Sequence, residues 1–231
     1  MKHSAASFIP SCAVGEGCFP TGKHYPGISH LLRMAGLHQS FSDMDVWVEL
    51  PIAMIDLETT GFDPSVDRII EIGITTHSGS MGRLVNPGRN IPPGLPHGIT
   101  DADVRDAAPL DARALHAYLS DKLPAAYNAP FDRSFLAAEY SRVGLTMPDV
   151  EWIDPLPWAR AQGEKRNSLG EVARRLGVKH EEAHRAVSDA AAAFEVLLRL
   201  APSMPRFYGA MLAEQSRLAA EQSDERRGWK R

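Results

Sequence analysis

A run of four apolar residues, Ile52-Ala53-Met54-Ile55, passes without a break into Asp56-Leu57-Glu58. The apolar part reads as a buried strand. Side chains of a strand alternate between its two faces, so Asp56 and Glu58 point the same way. Two carboxylates side by side at the end of a buried strand repel each other and lose hydration. That arrangement is tolerable only with positive charge between them. A divalent metal ion meets the requirement, and carboxylate oxygens suit magnesium or manganese.

Two further segments place acids against apolar patterns. Ala186, Ala190, Ala193, Val196, Leu197 and Leu200 form a stripe at helical spacing, and Asp189 lies beside it. His184 is five residues earlier, about 140° away on a continuous helix, so it is expected on the preceding loop, leaning over the same site as Asp189. In the middle segment Pro124 to Tyr127 reads as a short strand. Asn128 or Ala129 then caps a helix with Pro130 at its start. Phe131 and Phe135 would bury one face, and Asp132 falls in the first turn. Singly, an acid in a first helical turn is what the helix dipole favours anyway. The joint pattern carries the weight.

These segments resemble the DEDDh branch of the DnaQ-like 3′→5′ exonucleases, which includes the proofreading subunit of bacterial DNA polymerase III, RNase T and oligoribonuclease. Asp56-Leu57-Glu58-Thr59-Thr60-Gly61 resembles the first motif, and Arg68-Ile69-Ile70-Glu71-Ile72-Gly73 the second strand. Pro96-His97-Gly98-Ile99-Thr100 resembles the His-Gly-Ile-Thr stretch, Asn128-Ala129-Pro130-Phe131-Asp132 the second motif, and His184 to Asp189 the third. The match runs from about residue 50 to 200. DEDDy relatives place a Tyr four residues before the last Asp, where this chain has Arg185. One departure is Tyr127, where such proteins commonly have His.

The resemblance implies a two-metal hydrolysis at a 3′ end. Asp56, Glu58, Asp132 and Asp189 would hold two Mg²⁺ or Mn²⁺ ions, His184 would act as general base, and nucleoside 5′-monophosphates would be released. It also implies substrate contacts from Thr59, Thr60, Gly61, Phe62, His97, Asn128 and Phe131. Phe62 has two even readings, as a base-stacking residue or as core. Single-stranded DNA is the favoured substrate, in a proofreading or repair role. A ribonuclease of the RNase T or oligoribonuclease kind and a non-catalytic nucleic-acid-binding module are the alternatives. A polymerase or other protein partner stays open, as does the oligomeric state.

The expected fold class is α/β. Strands are predicted at 51–57, 68–76, 81–86, 124–127 and 150–154, and helices at 111–122, 130–143, 168–176, 185–200 and 203–222. A short turn rich in Gly, Asp and Pro joins the first two strands as a hairpin, and later strands alternate with helices. This gives a mixed five-stranded sheet flanked by helices, the architecture of the RNase H-like fold of the resembled family. The expected divisions are an N-terminal extension over 1–48, an exonuclease domain over 49–202 and a C-terminal helix with a charged tail over 203–231.

A length of 231 residues suits one domain with additions, and a net charge of −4 does not itself argue for nucleic acid. Between Arg160 and Arg185, however, seven Lys and Arg face four Glu, a local net of +3 that either tracks phosphates or forms a solvated helix face. No apolar run has signal-peptide or membrane length, so no membrane association is expected. Two cysteines without a secretory signal point to a reducing cytoplasm. Cys12, Cys18, His24 and His30 are too widely spaced for a common zinc site. Ile28, Leu31, Leu32, Ala35 and Leu37 suggest a short amphipathic helix packed on the domain. In the C-terminal helix, Met204, Phe207, Met211, Leu212 and Leu218 form the apolar side. Glu225, Arg226, Arg227, Lys230 and Arg231 form a charged end.

Overall fold

The computed structural model describes residues 42–228. The amphipathic stretch at 28–37, the set of Cys12, Cys18, His24 and His30, and the charged side chains from Glu225 onward lie outside the described residues. The sheet is mixed, with strand order β3-β2-β1-β4. β1 (Ile52–Thr59) runs antiparallel to β2 (Ile69–Thr76), which pairs antiparallel with β3 (Gly79–Leu84). β4 (Leu123–Ala125) lies parallel to β1 on its other side.

The alternation along β1 sorts the core into two layers. Ile52 and Met54 pack with Ala193, Val196, Leu197 and Leu200 of the long helix at 186–200. Ala53, Ile55 and Leu57 pack with Leu115, Phe135 and Leu136 on the opposite face. Asp56 and Glu58 continue the first series, so they emerge on the face covered by the long helix.

Seven helices accompany the sheet among the described residues: α1 (Asp101–Val104), α2 (Ala112–Leu119), α3 (Ala129–Arg142), α4 (Pro155–Ala161), α5 (Leu169–Leu176), α6 (Ala186–Leu200) and α7 (Tyr208–Gly228). α1 is a single turn that the apolar pattern does not reveal. It is stabilised by a reciprocal capping box between Thr100 and Asp103. None of these helices is long and apolar enough to cross a membrane.

The predicted fifth strand at 150–154 is reduced to one parallel bridge, Ala125 to Ile153. The reason is local. The Asp154 side chain accepts from the Leu156 amide, and Pro155 and Pro157 occupy the first turn of α4. A cap followed by prolines ends the extended segment. Among the described residues, four strands therefore form where five were expected.

α7 closes the base of the domain. Gln215 accepts from the Asp154 amide at 2.8 Å and donates to the Trp152 carbonyl at 2.9 Å. Met211 and Leu218 are buried in the α6 layer. Phe207, expected on the same apolar side, precedes the helix and is exposed.

The seat of α6 on the sheet is built from glycine. A Cβ added at Gly73 would overlap the Ala186 carbonyl and stand 2.5 Å from Val187 N. Both are backbone atoms, so the helix start would have to lift away. Gly73→Ala is expected to cost about 3 kcal/mol or more, at the upper end for overpacking. A urea midpoint equal to that of the wild type would show that the first turn of α6 does not press on β2.

Candidate active site

Four acids converge at the end of β1. Asp56 and Glu58 come from the strand, Asp132 from the first turn of α3, and Asp189 from the first turn of α6. Asp132 and Asp189 are both buried. Burial pushes the Asp56 carboxyl well above the ordinary carboxylate range, and the neighbouring charges of Asp132, Asp189, Glu58 and Glu71 push it further. Asp132 is raised too, first by burial, with amides of its own residue and of Leu57 pulling partly the other way. Glu58 is pushed up to about 8, by burial first and then by Asp189 and Glu71 against the pull of Arg185. Such shifts mark a cluster with more negative charge than a buried site holds without a cation.

His184 stands at the rim. It is exposed, and its ligand nitrogen lies with carboxylate oxygens of Glu58 and Asp189 so that all three are within 4.8 Å of one another. Its backbone is left-handed, with φ of 64°. For a residue other than glycine that conformation costs on the order of 1–3 kcal/mol. It lets the His184 amide turn inward and donate to Asp189 Oδ2 at 3.1 Å. The loop position inferred from the five-residue spacing therefore carries both a ring and an amide to Asp189.

Three partners of this site are not apparent from the motifs. The first is Glu71, which faces Glu58 across the β1–β2 ladder and is 3% exposed. It accepts from Arg185 Nη2 at 2.8 Å and from the Ala186 amide at 3.0 Å. One carboxylate thus anchors the guanidinium and satisfies the start of α6. Its signal was present: Glu71 interrupts Ile69-Ile70 and Ile72 as Asp56 interrupts β1.

The second partner is His180, whose Nε2 contacts Asp189 Oδ1. The third is Asp154, which accepts from the amides of Asn128 at 3.0 Å and Ala129 at 3.1 Å as well as from Leu156. Asp154, rather than Asn128 or Ala129, supplies the side-chain cap of α3. Asn128 is left-handed with φ of 72° and makes no side-chain cap, and Pro130 is the second helical residue.

The expected substrate residues divide. The Thr59 hydroxyl donates to the Gly61 carbonyl at 2.6 Å. The Thr60 hydroxyl donates to Asp67 Oδ1 at 3.0 Å and accepts from the Arg68 amide at 3.1 Å. Thr60 is buried, so its hydroxyl builds the turn after β1. Gly61 is required by the same turn, because a Cβ there would stand 2.6 Å from Asp67 Cγ. At this turn Phe62 is 76% exposed, which removes the core reading and leaves its ring in solvent.

His97 accepts from the Ile99 amide at Nδ1, 2.9 Å away, so its proton sits on Nε2, which donates to the Thr59 carbonyl at 3.2 Å. Burial lowers its pKa and keeps the ring neutral. Phe131 is half-buried, with its ring 4.9 Å from that of Phe135.

Comparison with known proteins gives matches over the same part of the chain. The RNase_T exonuclease family model matches residues 53–197. The chain is 30% identical over 190 residues to a DNA polymerase III PolC-type protein of Thermotoga maritima, covering 78% of this chain and 14% of that protein. It is 31% identical over 188 residues to a DNA polymerase III subunit epsilon-like protein of Rhodobacter capsulatus, covering 72% and 26% respectively. A 3′-5′ exonuclease DinG of Bacillus subtilis is 31% identical over 149 residues, covering 59% and 16%. The chain thus spans 14–26% of the length of these relatives. Among solved structures, exonuclease I superposes with a TM-score of 0.59 at 19% identity, over 67% of this chain and 41% of the other. The E. coli exonuclease I complex with a dT13 oligonucleotide gives 0.56 at 20% identity, over 65% and 41%. At that identity the likeness concerns the fold.

Proposed function

The chain belongs to the RNase_T family of DnaQ-like 3′-5′ exonucleases, and from that premise we propose that it hydrolyses phosphodiesters at the 3′ end of single-stranded DNA. The products are nucleoside 5′-monophosphates. The observation that carries the reading is the convergence of Asp56, Glu58, Asp132 and Asp189 at one buried strand end, with His184 at the rim. The working unit is the segment 49–202 on an RNase H-like sheet, with 1–48 as an extension and 203–231 as a terminal helix and tail.

The donor set suits hard divalent cations, and we infer two of them. The four carboxylates offer hard oxygen ligands, and burial with mutual repulsion raises Asp56, Glu58 and Asp132. Glu71 stays out of that set because Arg185 neutralises it. When bound, two such ions supply Lewis-acid stabilisation to the attacking and leaving oxygens. An imidazole nitrogen of His184 accepts the proton of the attacking water as the water oxygen bonds to phosphorus. The P–O3′ bond breaks, and the O3′ of the penultimate nucleotide takes a proton from solvent. Neutral His97 holds the Thr59 carbonyl and fixes the turn that carries Phe62, whose exposed ring offers a stacking face to the terminal base.

DNA is favoured over RNA because two of the relatives are named as DNA polymerase III proteins and exonuclease I has been crystallised with deoxyoligonucleotides. The same relatives make a polymerase the partner to look for, in a proofreading or repair role.

The test uses a 5′-labelled DNA oligomer and its RNA counterpart, each with Mg²⁺, with Mn²⁺ and with EDTA. The expected result is metal-dependent shortening from the 3′ end, faster on DNA. Faster loss of RNA would move the assignment to an exoribonuclease. No shortening of either strand by folded protein would leave a binding module.

A further inference from the structure

Glu139 is a buried carboxylate, 4% exposed, that the chemistry at the end of β1 leaves unused. It lies seven residues after Asp132 on α3, two turns further along the same buried face. Arg68 donates to it twice, from Nε at 2.7 Å and from Nη2 at 3.1 Å. Arg142, in the last turn of α3, brings a second guanidinium, with Nη1 3.1 Å from Glu139 Oε1. A buried acid held by two arginines is a stiff joint, because planar forks fix direction as well as distance.

The joint ties α3 to the turn after β1. Arg142 Nη2 donates to the Pro64 carbonyl at 2.8 Å and, more weakly, to the carbonyls of Asp67 at 3.3 Å and Ser65 at 3.4 Å. Arg89, from the loop after β3, donates to the Val66 carbonyl and stands 3.4 Å from Asp67 Oδ1. Inside the turn, Asp67 accepts from the Thr60 hydroxyl and from the Asp63 amide. Apolar burial does not hold this turn at its tip. Phe62 and Val66 are 76% and 59% exposed, two of the four large apolar side chains that stand in solvent among the described residues. A turn that sends its apolar side chains outward depends on the polar bonds made to its backbone.

Resting on the exonuclease reading of the acid cluster, we propose that Arg142, seated by Glu139, is a positioning residue for Phe62: it sets where the turn stands relative to the carboxylates, and so how the terminal base is received. One helix serves both ends of this geometry. α3 carries Asp132 of the cluster in its first turn and the clamp on the turn in its last. Ten residues along a helix span about 15 Å, and over that length α3 acts as a stiff spacer. The bonds of Arg142 go to the turn and to Glu139. Its loss is therefore felt in the hold on the terminal nucleotide and not in the chemical step.

The experiment is a double-mutant cycle on the full chain, with wild type, Arg142→Gln, Phe62→Ala and the double variant. Each is assayed in Mg²⁺ on dT12 and on bis(p-nitrophenyl) phosphate, a phosphodiester without a base. Affinity for 5′-fluorescein-labelled dT12 is read by anisotropy in EDTA. Arg142→Gln leaves Glu139 its two bonds to Arg68, so no buried charge is stranded and the fold is kept. Each single variant should lose about ten-fold in kcat/KM on dT12, carried by KM, with hydrolysis of the base-free diester unchanged. In the Phe62→Ala background, Arg142→Gln should cost less than about two-fold. Arg142→Lys, which keeps the charge but not the fork, should share the loss of Arg142→Gln. An equal loss on both substrates, a full loss repeated in the Phe62→Ala background, or no loss on dT12 would each overturn the proposal. Failure of the exonuclease reading is seen separately, as a folded wild type that hydrolyses neither substrate. The affinities in EDTA then decide, non-additive losses supporting the clamp and additive ones overturning it.

Discussion

Asp56→Asn should abolish 3′-end hydrolysis and at the same time make the metal-free protein more stable. The loss of activity follows from removing one anionic ligand of the divalent ions. Their electrostatic contribution is several kcal/mol, so a fall of about 10³-fold or more is expected. The gain in stability follows from the cluster itself. Asp56 is raised by burial and by four neighbouring acids, and a neutral amide of the same shape relieves that repulsion. A gain of about 1 kcal/mol would raise the melting temperature by roughly 2–4 °C.

The pH dependence has a definite sign. The Glu58 carboxyl is pushed up to about 8 in the folded chain, whereas in the unfolded chain it titrates near 4.5. Between those values the folded state binds more protons than the unfolded one. Stability therefore declines as pH rises through this window. The penalty is absent below the unfolded value and complete above about 8. Melting in EDTA from pH 5.5 to 8.5 should show that decline in the wild type, a shallower one in Asp56→Asn, and a shallower one again when Mg²⁺ replaces EDTA. A wild-type melting temperature that rises with pH in EDTA would contradict the electrostatic account of the cluster.

His184→Ala should lower kcat by roughly 10²–10⁴-fold, the usual worth of a general base, with metal affinity kept. The alternative is that the ring is itself a ligand, since it lies within 4.8 Å of oxygens of Glu58 and Asp189. Metal titration by calorimetry separates the two. Unchanged affinity with lost turnover supports proton transfer, and a ten-fold loss of affinity would make His184 a ligand. Turnover close to wild type would remove it from the chemistry altogether.

The legible parts of the molecule were those in which a charged residue broke a local pattern. Asp56, Glu58 and Asp189 sit against strand or helix periodicities that call for apolar side chains, and the structure brings them together with Asp132 and His184. Glu71 had the same signature, but its role depends on Arg185, 114 residues away. A one-residue anomaly gives no hint of a partner at that distance. His180 meets Asp189 through a loop that has no period to read. Asp154 illustrates how a boundary goes wrong. Val150 to Ile153 look extended, yet the cap and the prolines that follow convert the segment into a helix start after a single bridge. The turn after β1 was placed correctly. The inward direction of the Thr60 hydroxyl was not foreseeable, because it is set by Asp67 across the turn.

The left-handed backbone at His184 bears on how this position can vary. Glycine adopts a φ of 64° without penalty, and asparagine nearly so, while histidine bears the strain. A search guided by stability alone would therefore drift toward glycine here and produce a sturdier, chemically silent molecule. The imidazole occupies a place in the rim loop where thermodynamic selection and catalytic selection point in opposite directions. A library screened first for folding and then for turnover should divide at this codon.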